Sequence, residues 1–369
     1  KPPAYPLPPP ANSGAPVAGL PGAHMTSNLL RATPPYQLDD GGYGTSAAPI
    51  YQLFVEQAKR LEPRLLTMVI PSRWFAGGKG LDEFREGMLK DGRVRSVDDY
   101  LTASEVFPGV GLKGGICYFL WDRDHPGSCR VTTHFKDWDA SSATRPLLEP
   151  GADIFIRFNE GVSILKKVMA VETGQTQSLA LPVAKRFEAL VSSRKPFGFD
   201  TSFKGKSVKA RDDLLLCRNG GTGFAPGSSI TAGQTLVDQW KIFIGYAAPG
   251  TGNKDTYPHR VISTPFLGEP GSISSETYLA IGPFGAQSEA ASALAYLSCR
   301  LPRLLIQLRK ASQHVTSKVY SFVPTQDWSV TWTDALLYEK YGITDDQIAF
   351  IEKVVRPMEL QGNLDDEVD

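Results

Sequence analysis

Apolar positions along the chain follow two periods in turn. Residues 50–61 (IYQLFVEQAKRL) place Leu53, Phe54, Ala58 and Leu61 on one helical face. Residues 65–70 (LLTMVI) form a short continuous apolar run, the pattern of a strand buried on both faces, and Pro71 closes it. Residues 81–89 (LDEFREGML) return to helical spacing with acids in the first turn, where they complement the helix dipole. Residues 94–100 read as a strand. Residues 115–121 (GICYFLW) read as a second apolar strand, with 130–135 as its antiparallel partner. Helix alternating with buried strand predicts an α/β fold built on part of a parallel, doubly wound sheet.

The pattern changes beyond Glu149-Pro150-Gly151. Residues 159–170 (NEGVSILKKVMA) predict a helix, and 190–285 hold short β-like runs separated by Gly, Pro and Asn. Residues 289–310 predict one long helix with Leu294, Leu297, Leu301, Leu304, Leu305 and Leu308 as its buried stripe, kinked at Pro302. Thr344-x-x-Gln347 has the form of a capping box opening a further helix. The chain therefore divides into residues 1–27, 28–150 and 151–369. The first segment has eight prolines in its first 25 residues and almost no charge, so it is expected to be disordered.

Composition excludes several classes. No stretch approaches 18 consecutive apolar residues, so no membrane span is expected. Cys117, Cys129, Cys217 and Cys299 are scattered, with no CxxC pair and no His at ligand spacing. They predict buried, reduced thiols of a cytoplasmic protein rather than a disulfide framework or a metal site. The formal net charge is zero, but residues 157–322 carry 20 Lys and Arg against 11 Asp and Glu. A basic block inside a neutral chain is the footprint expected of a phosphate-binding face, or of a mixed solvated surface.

The local chemistry lies in Thr33-Pro34-Pro35-Tyr36. Pro-Pro-aromatic sequences also occur in turns and in proline-recognition ligands, so the tetrapeptide alone is a weak signal. It resembles the [Asn/Asp/Ser]-Pro-Pro-[Tyr/Phe/Trp] signature of amino-methylating DNA methyltransferases. The segments that follow, FVEQAKRLEP, LLTMVIPSRWF, LDEFREGML and SEVFPGVGLKGGICYFLWDRD, resemble in the same order the gamma-class, TaqI-like adenine-N6 methyltransferases of restriction-modification systems, the Eco-type branch in particular. The resemblance is close over roughly 30–135. It is looser through VSSRKPFGFD, PGSISSETYLAIGPF and LRKASQHVTSKVYSFVP, which look like that branch's target-recognition part.

This resemblance implies a partial Rossmann-like methyltransferase sheet followed by a mixed α/β target-recognition domain. It implies methyl transfer from S-adenosylmethionine to an adenine flipped out of double-stranded DNA. An exocyclic amine is a poor nucleophile, and acceptors fixed by two prolines hold its hydrogens while positive charge develops. Pro34 and Pro35 match the rigid pair, with the Pro34 carbonyl as acceptor. Tyr36 matches the base-stacking aromatic, and Phe107 a second aromatic on the opposite face of the base. Candidate DNA contacts are Arg194, Lys195, Lys204, Lys206, Lys209, Arg211, Arg309, Lys310, His314 and Lys318.

Two departures temper the expectation. Thr33 stands where the family has Asn, Asp or Ser, which points to weak or absent activity. The family's donor-binding half, with its strand and Gly-rich turn, precedes the PPY motif, whereas mainly the Pro-rich residues precede Thr33 here. The glycine clusters at 41–44, 77–80 and 219–223 read as loops. The chain is thus expected to lack the S-adenosylmethionine site, which would lie on a complementary methyltransferase chain or be missing. The alternative is a catalytically inert DNA-binding module or subunit. A bifunctional restriction-methylation protein ranks lower, because no Asp…Glu-x-Lys nuclease constellation stands out; a cognate restriction endonuclease would be a separate partner.

Overall fold

The computed structural model describes residues 28–37, 48–78, 80–108, 112, 114–136, 138–248, 257–310 and 314–359. The Pro-rich segment 1–27 and the glycines at 41–44 lie outside them. The first layer comprises β1 (Leu29–Ala32), α1 (Tyr51–Arg60), β2 (Leu65–Pro71), α2 (Asp82–Lys90), β3 (Val94–Tyr100), β4 (Ile116–Asp122), β5 (Cys129–His134) and β6 (Ser141–Arg145). The strands form one sheet in the order β1-β2-β4-β3-β5-β6. β1 runs parallel to β2, and β3 parallel to β5. β4 is antiparallel to both β2 and β3, and β6 to β5. Hence β1, β2, β3 and β5 all point the same way, and their carboxyl ends share one edge.

This corrects two expectations. The sheet is mixed rather than parallel, and the strand after β4 pairs with β3, not with β4. The reason is hydrogen-bond accounting. β4 inserts between β2 and β3, so both its edges are already taken, and the chain that follows pairs at the far edge of β3.

β2 is buried on one face only. Leu66, Met68 and Ile70 point into the core, while Leu65, Thr67 and Val69 are half-buried. The core beneath them joins Tyr51, Val55 and Ala58 of α1 and Phe84 and Met88 of α2 to Phe119 and Trp121 of β4. The inward stripe of α1 is thus Tyr51-Val55-Ala58, at i, i+4 and i+7. Leu53, Phe54 and Leu61, expected to be buried, are exposed. The helix carries apolar residues on two faces, and spacing alone does not say which one meets the sheet.

The remainder comprises α3 (Asn159–Thr173), β7 (Asp213–Arg218), β8 (Gly221–Pro226), α4 (Gln234–Val237), β9 (Trp240–Gly245), β10 (Phe266–Gly268), β11 (Ser272–Ser274), β12 (Tyr278–Phe284), α5 (Gln287–Ser298), α6 (Arg300–Arg309), α7 (Asp334–Tyr341) and α8 (Asp345–Val354). Two three-stranded sheets, β10-β9-β12 and β11-β7-β8, enclose a small core that includes Phe197, Phe199, Leu216 and Phe243. A larger core gathers α3, α5, α6 and α8 around residues such as Ile164, Leu165, Leu297, Leu304 and Ile351. The leucine stripe predicted over 289–310 is buried as expected. Its helix is broken rather than kinked, however. Cys299 adopts an extended conformation between α5 and α6, which puts Pro302 in the first turn of α6, where no intrahelical donor is needed. The Asp334 carboxylate accepts from the amides of Arg300 (2.7 Å) and Leu301 (3.3 Å), capping α6 from a distant part of the chain. The capping box at Thr344 and Gln347 is present at the start of α8.

His259 links this core to acid stability. Its amide donates to Val354 O, and its ring stacks on Tyr257 at 4.0 Å. Burial, together with the nearby Lys310 and Arg356 cations, pushes its pKa down to about 4. The unfolded ring takes up a proton near pH 6.5 and the folded one resists until about pH 4. The unfolded state therefore binds more protons in this window, and stability is lost as pH falls through it, by up to about 1 kcal/mol per pH unit. Urea denaturation between pH 7 and 4 should show this slope, and His259→Gln should flatten it.

Candidate functional site

β1 carries the chain to Thr33–Tyr36 immediately beyond its carboxyl end, on the edge where α/β sheets place their ligands. Pro34 is buried, Thr33 and Pro35 are exposed, and Tyr36 is half-buried. The segment is pinned at its far side. Tyr36 O accepts from Ile50 N at 3.2 Å, and Gln37 bridges Pro49 just before α1. The Tyr36 side chain packs against the core under the sheet, and its buried hydroxyl has no hydrogen-bond partner among the described residues. Burial, with Cys117 of β4 close by, raises the phenol pKa, so Tyr36 stays neutral and presents an aromatic surface. Phe107 follows β3 on the same edge of the sheet. Its amide closes a turn onto Ala103 O at 2.9 Å, and the residue is half-buried. The two aromatics therefore stand on loops at the carboxyl ends of two parallel strands, with β4 starting between them.

Beneath this edge lies a charged network that the sequence pattern did not reveal. Asp99 of β3 is fully buried. Its carboxylate accepts from Ser72 Oγ at 2.7 Å and from Arg157 Nε and Nη2 at 2.6 and 2.7 Å. Ser72 opens the loop after β2, and its amide donates to Gly115 O at 3.0 Å. Arg157 belongs to the segment that leads into α3, so one ion pair ties the sheet edge to the second half of the chain. Gly115 is required here. It has φ +84°, and a Cβ would sit 2.2 Å from Tyr100 O. Two consecutive aspartates inside a strand, Asp98-Asp99, were the available signal, because a carboxylate on an inward face demands a partner.

All four cysteines are buried and free, as expected. Burial pushes the Cys117 thiol up to about 12, which keeps it protonated and unreactive. Among the described residues no cluster of three or more His, Cys, Asp or Glu could hold a metal, and no helix is long and apolar enough to cross a membrane.

The basic candidates fall into distinct environments. Arg194 and Lys195 share a loop facing Glu276, at 3.1 and 3.9 Å, and His314 stacks on Tyr246 beside them. Lys204, Lys206, Lys209 and Arg211 are exposed around β7. Lys206 pairs with Asp213 at 3.0 Å, and Lys204 Nζ donates to Thr201 O. Lys310 Nζ donates to Val261 O, while Lys318 is exposed and 3.4 Å from Asp153. Arg309 does not suit a DNA contact. It is buried, both terminal nitrogens meet the Asp153 carboxylate, and Nε donates to Lys318 O.

The described glycine clusters do not have the form of a turn that cradles S-adenosylmethionine. Gly77, Gly78 and Gly80 follow a 3-10 turn, and Gly220 and Gly221 make the hairpin turn between β7 and β8. Neither cluster joins a strand directly to a helix as a donor-binding turn would.

Several known proteins resemble parts of this chain. A curated relative, an "Uncharacterized adenine-specific methylase" of Mycoplasma pneumoniae (strain ATCC 29342 / M129 / Subtype 1), is 32% identical over 115 residues. The match covers 30% of this chain and 27% of the relative, so the chain spans about a quarter of that relative's length. Two solved structures resemble more of the chain at low identity. The type IIL restriction-modification enzyme MmeI in complex with DNA is 9% identical with a TM-score of 0.42, over 80% of this chain and 46% of that one. The type IIG restriction endonuclease BpuSI is 12% identical with a TM-score of 0.32, over 82% and 44%. Residues 32–107, which run from the end of β1 through Phe107, match the family described as Eco57I restriction-modification methylase.

Proposed function

We propose that this chain is the base-capturing and target-recognition portion of a site-specific adenine-N6 DNA methyltransferase of a restriction-modification system. One observation carries the reading: Thr33-Pro34-Pro35-Tyr36 sits at the carboxyl end of β1, with Pro34 buried and Tyr36 seated on the sheet edge, inside the stretch similar to that methylase family. In this role Tyr36 stacks on a flipped adenine and Phe107 closes on its other face. The Pro34 carbonyl and the Thr33 hydroxyl accept the N6 hydrogens and stabilise the positive charge that grows as the amine is methylated. S-adenosylmethionine, bound elsewhere in the enzyme, would supply the methyl group and leave as S-adenosylhomocysteine. Loops bearing Arg194, Lys195, Lys204, Lys206, Lys209, Arg211 and His314 face double-stranded DNA, and the ion pair of Lys318 with Asp153 leaves that lysine exposed enough to join them.

A second reading is a catalytically inert duplex-binding module, favoured by Thr33 where the resembling family has Asn, Asp or Ser. Transfer of labelled methyl groups from S-adenosylmethionine to duplex DNA, measured with a donor-binding methyltransferase chain added, separates the two. The first reading expects N6-methyladenine as product and its loss in Tyr36→Ala. Duplex binding with no transfer, in both the natural chain and Thr33→Asn, would establish the second.

A further inference from the structure

We propose that Arg194 reads a guanine base in the major groove of duplex DNA, held in reading position by Glu276 and Tyr246; the inference rests on the duplex-binding reading above. Arg194 lies in the loop between the 3-10 turn at 187–190 and Phe197, and its side chain is 56% exposed. Its base is nonetheless fixed on two sides. Nε lies 3.1 Å from Glu276 Oε2, and the guanidinium carbon sits over the Tyr246 ring at 4.9 Å. Both supports are themselves anchored. Glu276 is buried, donates its amide to Phe199 O at 2.9 Å, and accepts at Oε1 from the Thr201 amide at 3.3 Å. Tyr246 bonds through its backbone to Thr277 and to Val315, and its ring stacks on His314 at 4.8 Å. Lys195, the next residue, has φ +63°, a backbone strain that a lysine adopts only where the surroundings enforce it. No hydrogen bond among the described residues engages Arg194 Nη1 or Nη2. Arg309, by contrast, spends both terminal nitrogens on Asp153.

The choice between base and phosphate follows from Glu276. A phosphate contact depends on positive charge and tolerates a mobile side chain, so a buried carboxylate beside the arginine works against it. A base contact depends on direction. Guanine offers O6 and N7 to a planar fork of two N–H groups, and a guanidinium held over a ring with Nε beside a carboxylate keeps its terminal nitrogens for such a fork. Fixing the fork in advance also limits the rotamer entropy lost on binding.

The test selects duplexes from a random pool with the natural chain, then measures affinities for each single-base change in the selected site. The natural chain should lose about tenfold or more at one guanine. Arg194→Ala and Arg194→Lys should both erase that preference, because lysine keeps the charge but not the fork. Arg211→Ala, an exposed arginine elsewhere on the surface, should weaken all duplexes alike and leave the guanine preference intact. Retention of the preference in Arg194→Lys, or a uniform weakening of every duplex in both Arg194 variants, would overturn the assignment in favour of a phosphate contact. Failure of the natural chain to bind any duplex at low salt would instead remove the DNA-binding reading, and this inference with it.

Discussion

Arg157→Ala is expected to destabilise the protein by about 3–5 kcal/mol, because it strands a buried charge. The arginine supplies two of the three side-chain hydrogen bonds accepted by the fully buried Asp99. Its removal leaves that carboxylate with Ser72 alone, in surroundings that cannot hydrate it. Burial works against the Arg157 charge, but Asp99 outweighs it and raises the guanidinium pKa, so the arginine stays charged. Urea denaturation of the variant measures the loss. Asp99→Leu combined with Arg157→Met should cost much less than the single truncation, because no orphaned charge remains. A single-variant loss below about 1 kcal/mol would mean that water reaches Asp99 and that the ion pair contributes little.

Thr33→Asn is expected to raise methyl transfer by about 10²-fold or more, provided the donor is supplied. The exposed Thr33 hydroxyl is one atom shorter than an amide oxygen and sits on a branched Cβ. On the proposed function it would meet the N6 hydrogens at shorter reach than an amide, whereas the buried Pro34 would keep its carbonyl in place. An asparagine restores a planar acceptor on the same backbone, and single-turnover transfer rates report the gain. An unchanged rate would place the limiting defect elsewhere, in the donor site or in base capture.

The sequence was informative wherever local chemistry decides structure. The helices beginning at Asp82 and Asn159, the strands β2, β3 and β4, and the capping box at Thr344 and Gln347 all follow from spacing and capping residues. It was silent where the decision is tertiary. The pattern in 129–134 gives a strand but not its neighbour, because pairing with β3 depends on β4 having filled the space beside β2. The two apolar faces of α1 looked equivalent until the sheet selected Tyr51, Val55 and Ala58. At the candidate site, Thr33–Tyr36 and Phe107 were singled out through their resemblance to a methyltransferase signature. Ser72, Asp99 and Arg157 were not, since they come from three separated segments and no short pattern joins them. Arg309 shows the converse error: a basic residue near other basic residues, which the fold consumes internally through Asp153.

The proposed function requires that Tyr36 and its neighbours receive an adenine drawn out of the duplex. Fluorescence of 2-aminopurine, placed in turn at each adenine of a duplex selected by the natural chain, measures this directly, because a base leaving the stack loses its quenching. Emission should rise at one position on saturation, and the rise should change when Tyr36 is replaced by alanine. Unchanged emission at every adenine of a fully bound duplex would contradict base capture by this chain.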